Sequence, residues 1–506
     1  MKLRKAAGIG LAAAIAVGTA VTLPVALADT GDGGPDATAR TDFNGDGYAD
    51  AVFPARAAGL TSGEANQDGG GAAYRGYVAV MYGSADGLRT DSKQVFNQDS
   101  PGIPGESAQG DSFGSSVTSG DLDDDGYADL IIGASGDDQG KGSVTVIWGS
   151  ADGLSEATWL SRGTSDERLG AHLVAGDFDG DGTTDVASNL GEANLRVFSG
   201  PFDRDGTPAG GVRKVTGPYG DGSGGDELTD LAAGDVNGDG VDDIVATSGA
   251  DIDDDYQVGY FKGASTGLQA AVAVEGLEGA GDNLDVGDVN GDGIDDLVIG
   301  RPNGIGGNNS KPLPELKGGM VSYVPGSADG PDPAGIKRIN QATPGVPGDA
   351  EEDDESCDMF GEEVSVGDID GDGYADASVG VYGEGFDGLD YAGSVVTLRG
   401  TADGLTGEGA KSFSENTPGV PGVSRSWDMF GSATKLTDVD DDGRADLLVG
   451  APGEGEMGSE DITDGSIWVL RATQDGVTAD GSFTFGVRTL GVPPVNGGAL
   501  GNEFPS

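Results

Sequence analysis

The stretch Ser116–Ala134, SVTSGDLDDDGYADLIIGA, decides the fold. Its centre, Asp121–Asp129, sets carboxylates at positions 1, 3, 5 and 9 of a nine-residue segment, with Gly126 at position 6. β-rich runs bounded by glycine flank it on both sides, the pattern of two strands joined by a tight polar turn. The same pattern, D-x-[DN]-x-D-G-x-x-D, recurs at Asp42–Asp50, Asp177–Asp185, Asp235–Asp243, Asp288–Asp296, Asp368–Asp376 and Asp438–Asp446, with starts 53 to 80 residues apart. Repetition at such a period marks an array of equivalent supersecondary units. Helical periodicity is absent.

A third strand and a turn follow each unit: Tyr77–Tyr82 then GSADGL, Ser143–Trp148 then GSADGL, and Ser394–Leu398 then RGTADGL. Val258–Phe261, Met320–Val324, Ser466–Leu470 and, more weakly, Leu195–Phe198 fill the same slot, and a fourth strand such as Ala157–Leu160 leads to the next unit. Each unit is then a four-stranded antiparallel meander. Seven of them predict an all-β, seven-bladed β-propeller.

Phe113-Gly114, Phe360-Gly361 and Phe430-Gly431 stand eight residues before their acidic loops, Leu169-Gly170 is a close variant, and Gly450-Ala451-Pro452 follows the last loop. These elements resemble the FG-GAP repeats of the integrin α propeller and its bacterial relatives. Units four and five depart from the pattern, with Glu227-Leu228 and Ala280-Gly281 at the expected place. The resemblance implies seven blades and an extracellular role, with ligand meeting the face opposite the metal loops. The first unit has no room for its Phe-Gly strand, whereas Ala499–Phe504 looks like that strand displaced to the other end. A C-terminal strand docking beside unit one would close the ring and leave no free sheet edges.

Lys2, Arg4 and Lys5 precede an apolar run over Ala6–Val21, and Ala26-Leu27-Ala28 offers small residues for cleavage. Residues 1–28 therefore read as a secretory signal peptide, 29–37 as a short linker and 38–506 as the propeller. No other run approaches the ~20 apolar residues of a membrane helix, so no span is expected after cleavage. The net charge of −59 becomes −62 once those three bases are removed. So acidic a chain does not bind nucleic acid; its natural partners are divalent cations. The single cysteine, Cys357, cannot form an internal disulfide, so stability must come from packing and metal.

Calcium takes six to eight hard oxygen ligands, and alternate carboxylates around a glycine bend supply them. The expected ligands in the first four loops are Asp42, Asn44, Asp46, Tyr48 and Asp50; Asp121, Asp123, Asp125, Tyr127 and Asp129; Asp177, Asp179, Asp181, Thr183 and Asp185; and Asp235, Asn237, Asp239, Val241 and Asp243. In the last three they are Asp288, Asn290, Asp292, Ile294 and Asp296; Asp368, Asp370, Asp372, Tyr374 and Asp376; and Asp438, Asp440, Asp442, Arg444 and Asp446. The position-7 residues contribute their carbonyls. Up to seven ions, one per blade, are expected, bound more weakly where asparagine holds position 3. A structural role is expected, since protein supplies every ligand.

In an up-and-down blade the metal loops and GSADGL turns share one face. The long segments 54–75, 301–318, 382–391 and 451–464 share the other, with the connections 100–112, 343–359 and 417–429. A protein or glycan ligand is expected there, on a monomeric extracellular binding or adhesion module. Tyr382, Phe386, Tyr391 and Trp427 are the candidate aromatic contacts, and the acidic run Asp349–Asp358 reads as a solvated loop. The alternative is a polysaccharide-acting or carbohydrate-binding propeller. No catalytic set emerges: the one histidine, His172, reads as a structural surface residue and Cys357 as a surface thiol.

Overall fold

The computed structural model describes residues 41–505, except 58–74, 166, 192, 219–226, 250–256, 303–316, 352–356, 387, 456–463 and 493–499. The signal segment, the linker and most of the long loops 54–75, 301–318 and 451–464 lie outside the described residues. Among those described, no helix is long and apolar enough to cross a membrane.

The strands form seven antiparallel sheets, with neighbours in chain order in every sheet. Blade one holds β1 (Ala51–Ala55), β2 (Tyr77–Met81) and β3 (Lys93–Phe96). Blade two holds β4 (Phe113–Gly120), β5 (Asp129–Ala134), β6 (Ser143–Trp148) and β7 (Ser155–Arg162). Blade three holds β8 (Leu173–Gly176), β9 (Asp185–Asn189), β10 (Leu195–Ser199) and β11 (Gly211–Val215). Blade four holds β12 (Glu227–Gly234), β13 (Asp243–Gly249), β14 (Gln257–Phe261) and a brief β15 (Val272–Ala273). Blade five holds β16 (Asn283–Gly287), β17 (Asp296–Arg301), β18 (Met320–Val324) and β19 (Lys337–Ile339). Blade six holds β20 (Phe360–Gly367), β21 (Asp376–Val381), β22 (Ser394–Arg399) and β23 (Thr406–Phe413). Blade seven holds β24 (Ala433–Thr437), β25 (Asp446–Ala451), β26 (Ser466–Arg471) and β27 (Thr478–Gly486).

The second strands are buried on both faces because each blade is sandwiched between two others. In β5, Leu130 and Ile132 pack toward blade one while Ile131 packs toward blade three, as the two-residue period of a strand requires. The buried apolar residues form seven such clusters, each shared by two successive blades. The cluster containing Phe53, Met81, Leu448 and Phe485 joins blade seven to blade one, so the ring is closed.

The Phe-Gly and Gly-Ala-Pro elements are two halves of one contact. A Cβ on Gly380 at the end of β21 would lie 2.2 Å from the Gly431 carbonyl oxygen, and one on Gly133 would lie 1.9 Å from that of Gly170. Only glycine lets the Phe-Gly backbone of the following blade approach so closely. The same contact closes the ring: a Cβ on Gly450 would lie 2.0 Å from the Gly501 carbonyl oxygen. Leu500 is fully buried and forms a parallel bridge with Gly465, matching the bridges Gly393–Phe430 and Gly142–Leu169. Leu500-Gly501 is thus the Phe-Gly element of blade one. Phe504 packs edge-on to Phe53 with ring centroids 6.0 Å apart, and Glu503 pairs with Arg56 at 2.6 Å. The closing segment docks where predicted, but as a single bridge rather than a regular strand.

Candidate metal centre

In blades two to seven each nine-residue loop joins the first and second strands, and in blade one it leads directly into β1, which holds the second-strand place; three of the carboxylates build the loop itself. The position-6 glycines, Gly47, Gly126, Gly182, Gly240, Gly293, Gly373 and Gly443, have φ between 79° and 89°, the left-handed region the bend requires. Their N–H groups donate to the position-1 carboxylates of Asp42, Asp121, Asp177, Asp235, Asp288, Asp368 and Asp438 at 2.7 to 2.9 Å. At position 7, the N–H groups of Tyr48, Tyr127, Thr183, Val241, Ile294, Tyr374 and Arg444 donate to the position-5 aspartate two residues before, at 2.9 to 3.2 Å. Position 9 reaches across the sheet. Asp50, Asp129, Asp185, Asp243, Asp296, Asp376 and Asp446 accept from backbone N–H groups just past the third strand, at 2.6 to 2.9 Å.

Position 3 divides the loops into two kinds. Asp123, Asp179, Asp370 and Asp440 each keep a buried Oδ1 with no hydrogen-bond partner. In those loops three acidic oxygens converge within 4.8 Å: Asp121, Asp123 and Asp129; Asp177, Asp179 and Asp181; Asp368, Asp370 and Asp376; Asp438, Asp440 and Asp442. Such orphaned, converging oxygens fit a hard cation. No such convergence is found in the loops of blades one, four and five among the described residues. Asn237 Nδ2 donates to Asp243 at 2.5 Å and Asn290 Nδ2 to Asp296 at 3.1 Å, while Asn44 Oδ1 accepts from the Asp46 N–H at 2.8 Å. Asparagine at position 3 was expected to keep an oxygen ligand. In blades four and five its amide instead supplies the hydrogen bond that satisfies position 9.

Burial raises the position-9 carboxyls, to about 8 for Asp50, Asp129 and Asp376 and to about 7 for Asp185, Asp296 and Asp446. Asp243, also buried but holding hydrogen bonds from Asn237 and Tyr260, rises only to about 6. Asp179 rises through burial and through repulsion from Asp181 and Asp177. These are sites where negative charge is held at a cost that a cation would offset.

Basic side chains, which the sequence reading missed, reach four of the loops. Arg204 of blade three pairs with Asp123 and Asp125 of blade two, both at 2.5 Å. Lys262 contacts Asp239 at 2.7 Å and Asn237 Oδ1 at 3.1 Å. Arg399 pairs with Asp370 and with Asp376 at 3.0 Å; Arg471 pairs with Asp440, and Arg444 with Asp442. Lys262, Arg399 and Arg471 all fall at the end of a third strand, a recurrence visible in the sequence once the strands are aligned. Among the described residues, no basic side chain forms an ion pair with Asp177, Asp179 or Asp181, and Arg213 acts on Asp179 only at longer range, so of the loops with converging oxygens that of blade three is the least contested.

The opposite end of the ring carries the aromatic residues singled out from the sequence. Tyr391 stacks on Trp427 with ring centroids 4.5 Å apart and planes 11° apart, and Tyr382 lies 6.2 Å from Tyr391. Trp427 is 58% exposed. Phe386 stands apart from this stack, half-buried in its own short turn with Leu389. Of the acidic run, residues 352–356 lie outside the described residues, and Asp358 is buried rather than solvated, accepting from the Glu351 N–H. His172 lines the polar end of the central channel, not the outer surface, and burial with Arg168 and Arg56 nearby holds its pKa down at about 4. Cys357 is half-buried, its Sγ 3.7 Å from the Pro302 carbonyl oxygen.

A family model described as FG-GAP repeat matches residues 113–147, 280–311, 360–398 and 430–470. These are blades two, five, six and seven; the match includes unit five despite its Ala280-Gly281, and there Gly281 still packs its backbone on Gly300. The chain is therefore a seven-bladed β-propeller that carries FG-GAP repeats in four of its blades, with a fold consistent with the integrin α N-terminal propeller.

Proposed function

We propose that this protein is a secreted calcium-binding propeller that acts as an extracellular binding or adhesion module, with calcium in a structural role. The observation that carries the binding reading is the Trp427–Tyr391 stack: a flat, exposed indole held on a rigid ring, on the face away from the acidic loops. Such a surface suits the face of a sugar ring or an apolar side chain of a protein ligand. The fold supports recognition, since the strands joined by the long connections end on that face while the other is built of short, repeated turns.

Calcium is assigned to the loops of blades two, three, six and seven. Their all-oxygen donor sets and orphaned position-3 oxygens favour a hard ion over zinc or copper. In blade two the ion would be held by Asp121, Asp123 and Asp129, with the position-7 carbonyl of Tyr127 as a further donor. Bound there, calcium would supply the positive charge that lets the carboxylates stay ionised in a half-buried turn. The protein's own part is to place them: glycine at position 6 sets the bend and position 9 locks the loop to the third strand.

A glycan array and surface-protein pull-downs, run in calcium with wild type and Trp427→Ala, test the function. Retention by wild type and its loss in the variant is the expected result. Equal retention by both would remove the aromatic shelf from the reading, and turnover of a bound glycan would favour the polysaccharide-acting alternative.

A further inference from the structure

A different acid cluster sits at the corner between blades six and seven, at the end of the ring opposite the loops. Glu415 follows β23, Asp428 precedes β24 and Glu454 follows β25, so three separate stretches of chain meet there. One carboxylate oxygen of each lies within 4.8 Å of the other two, and all three residues are buried.

The chain contains its own comparison. The turns NQDSPGIPG (97–105), NQATPGVPG (340–348) and SENTPGVPG (414–422) enter blades two, six and seven. They fold alike: Ile103, Val346 and Val420 donate to the carbonyls of Ser100, Thr343 and Thr417 at 3.0, 3.1 and 3.0 Å. Asp111, Asp358 and Asp428 also correspond, each carbonyl accepting from the glycine N–H of Gly136, Gly383 or Gly453. Gln98, Gln341 and Glu415 therefore occupy one position. At the blade-six corner Gln341 Nε2 donates to Glu384 Oε2 at 2.7 Å. At the blade-seven corner the donor is replaced by a carboxylate, which faces two more.

Two further groups point to a ligand. Glu415 is only 3% exposed; its Oε2 accepts from the Val423 N–H at 3.1 Å, but no N–H or hydroxyl donor reaches its Oε1, and the side chain within hydrogen-bonding reach of its carboxyl is another carboxyl, that of Asp428. Ser424 is 6% exposed and its hydroxyl is also without a partner, while the N–H groups on either side of it, of Val423 and Arg425, donate to Glu415 and Asp428. Arg425 Nη1 lies 3.0 and 3.2 Å from the Glu454 oxygens and supplies one positive charge. With all three carboxylates ionised, as a bound cation would hold them, they and the one guanidinium leave two negative charges, the complement of one divalent cation. Native structures do not leave such groups buried and unpaired without a reason.

We propose that Glu415, Asp428 and Glu454 form a divalent-cation site of calcium type, separate from the nine-residue loops, that anchors the turn carrying Trp427. Trp427 immediately precedes Asp428, and its N–H donates to the Asp390 carbonyl at 2.9 Å, so an ion on Asp428 fixes the chain beneath the aromatic stack. Every atom of the cluster able to ligate a metal is an oxygen, as calcium prefers.

Glu415→Gln tests this with a residue that Gln341 shows the turn accepts. Equilibrium dialysis against millimolar calcium should count one ion fewer per chain in Glu415→Gln than in wild type, one fewer in Asp179→Asn, and two fewer in the double variant. In wild type, calcium should slow hydrogen exchange of the Val423, Arg425 and Trp427 amides at least tenfold, and Glu415→Gln should abolish that slowing. An unchanged count in Glu415→Gln, or no effect of calcium on those amides in wild type, overturns the proposal, the cluster then holding protons in place of a metal. A count that falls with Glu415→Gln but not with Asp179→Asn supports this site and removes the blade-three loop from the calcium reading, so the two stand or fall separately.

Discussion

Replacing Asn290 with aspartate should create a calcium site in blade five. In the native loop Asn290 Nδ2 donates to Asp296 Oδ1 at 3.1 Å, and the Tyr323 hydroxyl donates to Asp296 Oδ2 at 3.2 Å, so the position-9 carboxylate is satisfied without an ion. Asn290→Asp removes one hydrogen bond to a charged acceptor, worth about 1.5–3 kcal/mol, and sets a second carboxylate against Asp296. Burial already pushes Asp296 up to about 7, and no basic side chain pairs with Asp288, Asn290, Asp292 or Asp296 among the described residues. The metal-free variant should therefore be less stable than wild type by roughly 2 kcal/mol or more. Calcium at ten times its Kd returns about 1.4 kcal/mol at each occupied site. Calorimetric titration should find one more ion per chain in Asn290→Asp than in wild type. Chemical denaturation should show a larger deficit in chelator than in calcium. Equal ion counts, or a deficit that calcium does not reduce, would refute the claim that position 3 decides which loops bind.

Three other outcomes are expected. Leu500→Ala should cost about 2–5 kcal/mol by denaturant midpoint, as should Leu169→Ala at the matching position, because both are fully buried between blades; a cost below about 0.5 kcal/mol would mean that the C-terminal segment does not hold the ring closed. Arg399→Ala should lower the melting temperature in chelator yet tighten calcium binding at the blade-six loop roughly tenfold, since an entering ion must displace the guanidinium from Asp370 and Asp376; weaker or unchanged binding by titration would show that Arg399 supports the site. Metal-free protein should be more stable at pH 5 than at pH 8. Burial raises the folded-state pKa of Asp50, Asp129 and Asp376 to about 8, so between the ordinary carboxylate range and pH 8 the folded state binds more protons and stability falls as pH rises. Calcium, by holding these groups ionised, should flatten or reverse that slope in thermal melts, and a metal-free melting temperature lower at pH 5 would contradict the assignment.

The blades themselves were legible in the sequence because each carries its own local instructions. A glycine forced to positive φ, a carboxylate two to five residues from the N–H groups it caps, and alternating apolar residues act within about twenty residues and read the same way seven times. The displaced closing element was legible for the same reason: Leu500-Gly501 repeats the Leu169-Gly170 pattern and meets the same glycine contact. Which metal loops carry asparagine at position 3 was legible as text, but what that asparagine does in its loop depends on where its side chain turns in three dimensions. Whether Asn237 offers its oxygen to an ion or its amide to Asp243 is settled by the buried carboxylate it faces. Arg204 reaches Asp123 from 81 residues away and from the next blade, and Glu415, Asp428 and Glu454 meet only because strands of two blades end at one corner. The sequence by itself determined the repeat, the blade and the turn, since those rest on short-range backbone chemistry. Tertiary structure alone decided which charges become neighbours, because electrostatic partners are chosen by distance in the folded ring and not by distance along the chain.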